Sequence, residues 1–356
     1  MTNFPYPFLP IQGILHHDPP FLQRKSVQSA ESMIKLYFMK SRFEYSKLII
    51  LLLATRPKFL VASAAPVLVG STLGYATAGT FSPGLFILAL LAIMALHSGA
   101  NIANDYFDHV SGNDWANKNP TPFSGGSRYI QQGILSPKAT LLAGIFWLTL
   151  GSAIGVIIFL LTQSIFILIL GLVGLLGGFF YTAPPVKLGY RYIGELVIAL
   201  LFGLLPVYGS YYLQTETVGA TPILPALIIS ILIFLVILIN EFPDLDADAA
   251  VNKKTLVVQL GAPTCIWIYR VVLISSFILA VAMLICQVTF FAGLFYLFTL
   301  PVAIVAIRFA NKKDLTTPGQ YRASQITVLL HALGAMALTA GFIFFRLSIA
   351  SSLTAN

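Results

Sequence analysis

Nine apolar stretches constrain this chain more than any other feature, near residues 58–78, 84–104, 138–161, 164–181, 193–213, 222–240, 264–286, 289–308 and 325–346. Each is close to the ~20 residues that a helix needs to cross ~30 Å of hydrocarbon. Backbone groups in lipid must pair internally, and segments of this length do so as helices, not as the ~10-residue alternating strands of a barrel. The expectation is an all-α polytopic membrane protein, with about nine transmembrane helices bundled around a central cavity. Composition agrees: 57% of residues are hydrophobic and 10% charged, where a soluble domain carries about 25% charged residues. Pro57 and Pro66 interrupt the first stretch, and Pro57 suits a helix start, where a missing N–H costs nothing.

Nine spans place the N-terminus and the loops after the second, fourth, sixth and eighth spans on one side. Of the 21 basic residues all but Arg346 fall there, and the positive-inside rule makes that side cytoplasmic. Residues 1–50 read as an N-terminal cytoplasmic tail, with Met33–Leu53 along the membrane surface, and 51–350 as the transmembrane domain. The tail lacks a small-residue cleavage pattern after an apolar core, so it is not a simple signal peptide. The location expected is the cell's inner (cytoplasmic) membrane, with the working mouth facing the cytoplasm. The basic residues form no dense stripe, which argues against a nucleic-acid partner. Cys265 and Cys286 lack metal-ligand spacing and read as buried packing residues.

Only 13 acidic residues exist, and they concentrate in two segments, Asn101–Asp114 and Asn240–Asp248. Carboxylates at the edge of hydrocarbon are costly and point to function. Asn101, Asn104, Asp105 and Asp108 recur at three and four residues and share one helical face. Asn240, Asp244 and Asp248 do so at i, i+4 and i+8, with Pro243 expected to distort the helix. Like charges crowded on one face call for a divalent cation, and an all-oxygen set suits Mg²⁺. N104-D-Y-F-D108 and N240-E-F-P-D244 also share an Asn-acid-aromatic-x-Asp pattern across four spans, as two related units would. Facing clusters can bind two Mg²⁺ ions bridged by a diphosphate. Arg128, Lys187, Lys253 and Lys254 supply cations on the same side, and Gly125–Gly126 could bring backbone N–H groups to phosphate. An apolar cavity between helices would hold a long isoprenoid tail.

The segments N104-D-Y-F-D108, Y181-T-A-P-P-V-K-L-G-Y-R and N240-E-F-P-D-L-D-A-D-A-A-V-N-K-K-T-L-V-V-Q-L-G261 resemble the UbiA superfamily of membrane prenyltransferases, from about Arg56 to the C-terminus. N-D-Y-x-D-x-x-x-G-x-D over Asn104–Asp114, G-G-S-R followed by Gln132–Gly133, and Leu188–Glu195 look most like its 1,4-dihydroxy-2-naphthoate branch. The resemblance implies that Asn104, Asp105 and Asp108 serve the first metal–diphosphate motif. Asp244 and Asp248 would serve the second, with Asn240 beside them. Asp105, Asp108, Asp244 and Asp248 would be the metal ligands, Lys254 and Arg128 would hold diphosphate oxygens, and Tyr181 and Lys187 would line the reaction centre. The implied reaction is Mg²⁺-assisted ionisation of a polyprenyl diphosphate, then attack by an aromatic acceptor. Two positions depart from the family: Gly112 stands where many relatives carry Asp, with Asp114 as its replacement, and Asn252 stands where Gly commonly precedes the basic pair.

A cation-binding transporter or channel is the competing class, since intramembrane acids occur there too. The acids here gather at one mouth and not at the midplane, which favours the enzyme. His97 and His331 read as packing residues inside spans, and His109 as a bystander. Asp246 and Glu241 point off the main ligand face of an ideal helix.

Overall fold

The computed structural model describes residues 47–317 and 319–354. Residues 1–46 of the tail assigned to residues 1–50, and with them most of its surface segment, therefore lie outside the described residues. The contact pattern divides the chain after Ile50, and the helices that build the site belong to the unit Leu51–Asn356.

Every described element is helical, in the order α1 (Lys47–Ala54), α2 (Val61–Ala78), α3 (Pro83–Ser111), α4 (Asn113–Ala116), α5 (Pro137–Thr162), α6 (Ile165–Phe180), α7 (Gly194–Thr215), α8 (Ile223–Glu241), α9 (Leu245–Ala250), α10 (Leu256–Met283), α11 (Phe290–Leu297), α12 (Leu300–Phe309), α13 (Lys312–Thr316) and α14 (Arg322–Thr354). Among the described residues, α2, α3, α5, α7, α8, α10 and α14 are long and apolar enough to cross a membrane, and α11 with α12 forms an eighth candidate bent by 47°. The ninth predicted stretch is α6, which at 16 residues is shorter than the usual crossing length. Each of the nine apolar stretches is thus helical, while seven to eight helical segments among the described residues meet the length of a span.

Local chemistry sets the boundaries. Pro57 opens a short 3₁₀ turn ahead of α2. Ser136, Ser164 and Thr255 cap α5, α6 and α10 by accepting backbone N–H bonds from residues three further on, satisfying donors that a helix start leaves open. A π-helical segment, Leu200–Leu204, lies within α7 ahead of Pro206.

Without a hydrophobic drive between helices in lipid, small residues and close approach hold them together. A methyl group added at Gly99 of α3 would lie 2.7 Å from the backbone N of Leu148 and 2.9 Å from the carbonyl oxygen of Gly144, both on α5. The buried core runs through α2, α7, α8, α10 and α14, with Leu232, Leu235, Leu238, Leu273 and Phe342 fully enclosed. Cys265 belongs to it, but Cys286 is exposed in the turn after α10, against the expectation of burial.

Candidate active site

Both acidic segments reach one cavity of about 210 Å³ at the ends of α3 and α8. The helix α3 runs on to Ser111, so Asn101, Asn104, Asp105 and Asp108 all lie within it. The second segment is not one helix: α8 stops at Glu241 and α9 starts at Leu245, with Phe242–Asp244 forming the break around Pro243. Proline's missing N–H and its ring oppose a continuous helix, and the i, i+4, i+8 face is therefore folded, not straight.

The loop from Asn113 to Arg128 ties the two segments together. Asn113 Nδ2 donates to Asp248 Oδ1 at 2.8 Å, Asn117 Nδ2 to Asp244 Oδ1 at 2.7 Å, and the Gly125 N–H to Asp244 Oδ2 at 3.2 Å. Gly125 and Gly126 both take positive φ. A side chain at Gly126 would crowd the carboxylates of Asp114 and Asp105 at 3.0 and 3.2 Å. Both glycines line the cavity, and Gly126 packs closely against these carboxylates. Asp114 is buried in the cavity wall with Gln131 Nε2 at 2.9 Å from Oδ2.

Of the predicted residues, Asn101, Asn104, Asp108, Tyr181, Asn240, Asp244 and Asp248 line the cavity. Asn104 Nδ2 donates to Asp108 Oδ2 at 3.0 Å, and Asn101 Nδ2 to the Thr55 carbonyl at 3.1 Å. Asn240 Oδ1 is buried without a protein partner. Asp105 sits behind the wall, ion-paired with Arg56 and accepting from the Ser127 N–H at 3.3 Å. Arg128 is not among the lining residues, because its guanidinium is bonded to the carbonyl of Asp114. Lys187 also lies off the cavity, with its ammonium 4.9 Å from the centre of the Tyr190 ring.

Lys254 is corrected by its neighbour. Asn252 adopts φ of 56°, and the left-handed turn brings the Lys253 N–H onto the Asp248 carbonyl at 2.8 Å. Lys253 then points inward, 3.3 Å from Asp248 Oδ1 and 4.0 Å from Asp108 Oδ2, while Lys254 is exposed. Asn tolerates this conformation better than other residues with a Cβ, so it substitutes for the usual glycine.

Sequence reasoning missed Arg56 and ranked Glu241 too low; both line the cavity. Arg56 read as a topogenic charge, though its place immediately before Pro57 at the first span was the available signal. The exposed Asp246 matches its low ranking. Glu195 Oε1 accepts the Leu256 N–H at 2.7 Å, which ties α7 to the start of α10.

The electrostatics leave the cavity short of positive charge. Asp108, Asp114, Glu241, Asp244 and Asp248 line it, against Arg56 and Lys253 as cations. Burial pushes the Asp114 carboxyl up to about 7, and repulsion from Asp108 and Asp105 adds to this. Burial, then Asp248, pushes Asp244 up to about 6, and burial also raises Asp248. Burial works against the charge on Lys253, but Asp108 and Asp248 outweigh it and hold the ammonium well above its ordinary value. The Tyr190 Oη, 3.0 Å from Asp108 Oδ1 and 2.8 Å from Ser111 Oγ, is likewise raised by burial and then by Asp108, so it stays protonated.

Among the described residues no group of three or more His, Cys, Asp or Glu converges to hold a metal ion alone. Mg²⁺ does not need such a cage: it is held by one or two carboxylates, with waters and phosphates completing its shell. The all-oxygen donors, the excess negative charge and the unpartnered Asn240 oxygen fit that mode.

The UbiA prenyltransferase family matches residues 63–326 of the chain. A 1,4-dihydroxy-2-naphthoate octaprenyltransferase of Haemophilus influenzae is 34% identical over 58% of this chain and 68% of its own length. A 2-carboxy-1,4-naphthoquinone phytyltransferase of Synechocystis is 25% identical over 82% of this chain and 92% of its own length. The structure of a UbiA homologue from Archaeoglobus fulgidus bound to DMAPP and Mg²⁺ has the same fold, with a TM-score of 0.60 at 17% identity over 81% of this chain and 99% of that one. A family match across most of the chain, the shared fold and paired acidic segments at one cavity together place this protein in the UbiA prenyltransferase family.

Proposed function

We propose that this prenyltransferase moves a polyprenyl group from its diphosphate to 1,4-dihydroxy-2-naphthoate, the acceptor class of menaquinone biosynthesis. The observation that carries the reading is the single cavity shared by Asp108, Asp244, Asp248 and Lys253 beneath an apolar inner wall, in a chain whose relatives include naphthoate prenyltransferases. The working mouth faces the cytoplasm at the cell's inner membrane, where the basic loops support it, and residues 1–50 form a cytoplasmic tail.

Asp108, Asp244 and Asp248 would hold Mg²⁺, with Asn104 and Asn240 as neutral oxygen donors beside them. When bound, Mg²⁺ neutralises charge that develops on the departing diphosphate. Lys253 and Arg56 donate N–H bonds to diphosphate oxygens, and Asp105 positions Arg56 through their ion pair. Arg128 holds the loop by its bond to Asp114, and Lys187 orients Tyr190 by stacking. Phe202, Ile198, Ile233 and Ile237 form the inner wall and keep water from the allylic carbon, where it would compete with the aromatic acceptor. Tyr181, half-buried at the same cavity, presents its ring face to developing positive charge.

The test uses membranes containing the protein, a labelled polyprenyl diphosphate and Mg²⁺, with 1,4-dihydroxy-2-naphthoate and 4-hydroxybenzoate offered in parallel and an EDTA control. Prenylated naphthoquinol from the first acceptor alone is expected. Product from 4-hydroxybenzoate alone would overturn the acceptor assignment, with homogentisate, a chlorin or a glycerol phosphate lipid as the remaining acceptors to try if neither ring reacts.

A further inference from the structure

His97 reads as a packing residue from the sequence, yet it lines the carboxylate cavity and also a second, almost wholly apolar cavity of about 240 Å³ between α3, α5, α6 and α7. It lies on the face of α3 that carries the first acidic segment. His97, Asn101, Asn104 and Asp108 follow one another at four, three and four residues, and all four line the carboxylate cavity. Beyond His97 the same face continues as Ile93 and Ala89, so His97 is its innermost polar group, about 16 Å along the helix axis from Asp108. Asn101 already donates to the Thr55 carbonyl and Asn104 to Asp108.

Ser63 of α2 settles which ring nitrogen carries the hydrogen. Thr72, Ser98, Ser152 and Ser210 each bond back to the carbonyl four residues earlier in their own helix, at 2.6–2.8 Å. Ser63 does not: its hydroxyl, in a fully buried residue, meets His97 Nδ1 at 2.7 Å and has no other partner among the described residues. If it accepted a hydrogen from Nδ1, its own hydrogen would be left unpaired in the protein interior. Ser63 therefore donates to Nδ1, and the hydrogen of the neutral ring sits on Nε2. Phe202 holds the ring from the side, edge to face at 4.6 Å. Nε2 has no protein partner among the described residues and, unlike the sealed Nε2 of His331, is not enclosed by protein. It is a donor held in place and open to the cavity.

We propose that the His97 Nε2–H binds an oxygen of the aromatic acceptor, and that Ser63 is the positioning residue that keeps this donor turned into the cavity. The inference rests on the prenyl-transfer reading. The donor substrate offers nothing to this N–H: an isoprenoid chain has no acceptor atom, and a diphosphate at Asp108, Asp244 and Asp248 lies about three helical turns away. An aromatic ring bearing hydroxyl or carboxylate oxygens is the remaining partner. The wall beside His97 suits a flat ring. Ala100 of α3 faces Gly178 of α6, where an added methyl would lie 3.6 Å from the Ala100 methyl, and the Phe202 ring stands alongside. One directed bond in an otherwise apolar setting is how a pocket fixes the orientation of such a ligand.

The test measures KM for each substrate, using the full chain in lipid nanodiscs with Mg²⁺, octaprenyl diphosphate and 1,4-dihydroxy-2-naphthoate. His97→Leu is expected to raise the acceptor KM by about tenfold, the scale of one lost hydrogen bond to a polar or charged ligand, and to leave the diphosphate KM unchanged. His97→Gln, whose amide N–H stands in for Nε2–H, is expected to recover most of that loss. Ser63→Ala releases the ring and is expected to raise the acceptor KM alone, by about threefold. Ser152→Ala is the control: Ser152 lines the apolar cavity but is bonded to the Leu148 carbonyl, and neither KM is expected to change. An unchanged acceptor KM in His97→Leu and Ser63→Ala overturns the assignment and leaves the prenyl-transfer reading standing. Equal rises in both KM values, or no recovery in His97→Gln, overturn it too, because a packing role gives those results. Ser63→Ala decides alone if His97→Leu fails to insert. Wild-type transfer to no aromatic acceptor overturns both readings.

Discussion

Replacing Lys253 and Lys254 separately tests the least obvious feature of the site, because adjacent residues of the same type are given opposite fates. The Lys253 ammonium lies 3.3 Å from Asp248 and 4.0 Å from Asp108, with its side chain 14% exposed. At 4 Å each such pair is worth about 4 kcal/mol of attraction for an effective dielectric near 20. Removing one partner of a buried pair strands the others at about 3–5 kcal/mol. Loss of a donor aimed at developing negative charge lowers turnover by about 10²–10³. Lys253→Ala is thus predicted to lower kcat/KM for the prenyl diphosphate by about 10²–10³, read from diphosphate release in nanodiscs at saturating acceptor. Lys254 is exposed and engages Tyr190 only through its backbone N–H at 3.3 Å, so Lys254→Ala is predicted to change kcat/KM by about threefold or less, the scale of an exposed charge. A large loss from Lys254→Ala with a small one from Lys253→Ala would refute the assignment.

The same geometry sets four further outcomes. Asp244→Asn and Asp248→Asn should each remove most Mg²⁺-dependent turnover, by about 10² or more, while the protein remains inserted; near wild-type rates in either variant would sink the metal assignment. Mg²⁺ affinity, read by titration of activity, should strengthen as pH rises through about 6 and about 7, where Asp244 and Asp114 lose their protons. The apo protein should show the opposite trend: carboxyls whose folded pKa exceeds the ordinary 3.8 favour the folded state when protonated, so metal-free stability falls as pH rises across that window. Thermal unfolding with and without Mg²⁺ at both ends of the window checks this sign. Finally, Asn252→Ala should cost about 1–2 kcal/mol at its positive φ, whereas Asn252→Gly should be neutral or stabilising in the same unfolding assay.

The transmembrane helices were legible because lipid allows few solutions: an apolar run of sufficient length becomes a helix with ends near the run's ends. The pairing of the acidic segments was legible for a similar reason, since carboxylates that crowd at equivalent helix ends need a shared counter-charge. What escaped was set by backbone detail. Whether Lys253 or Lys254 faces the cavity depends on one left-handed residue, Asn252. Pro243 splits a helical face that spacing alone reads as continuous. Arg128 takes φ of 65° and turns to the Asp114 carbonyl, which no motif encodes. Arg56 joins the site through a 49-residue separation from Asp105, and in the sequence it is one basic residue among those that gather ahead of the first span.

The central claim is that one cavity binds a metal-bound diphosphate and breaks its bond to an isoprenoid. The most direct measurement is stoichiometry: diphosphate released and prenylated naphthoquinol formed, counted together in sealed vesicles with Mg²⁺ and again with EDTA. The account predicts equal amounts of both with Mg²⁺ and neither with EDTA. Cation flux across the vesicle wall with no diphosphate release under any condition would contradict it and return the carboxylates to a transporter or channel.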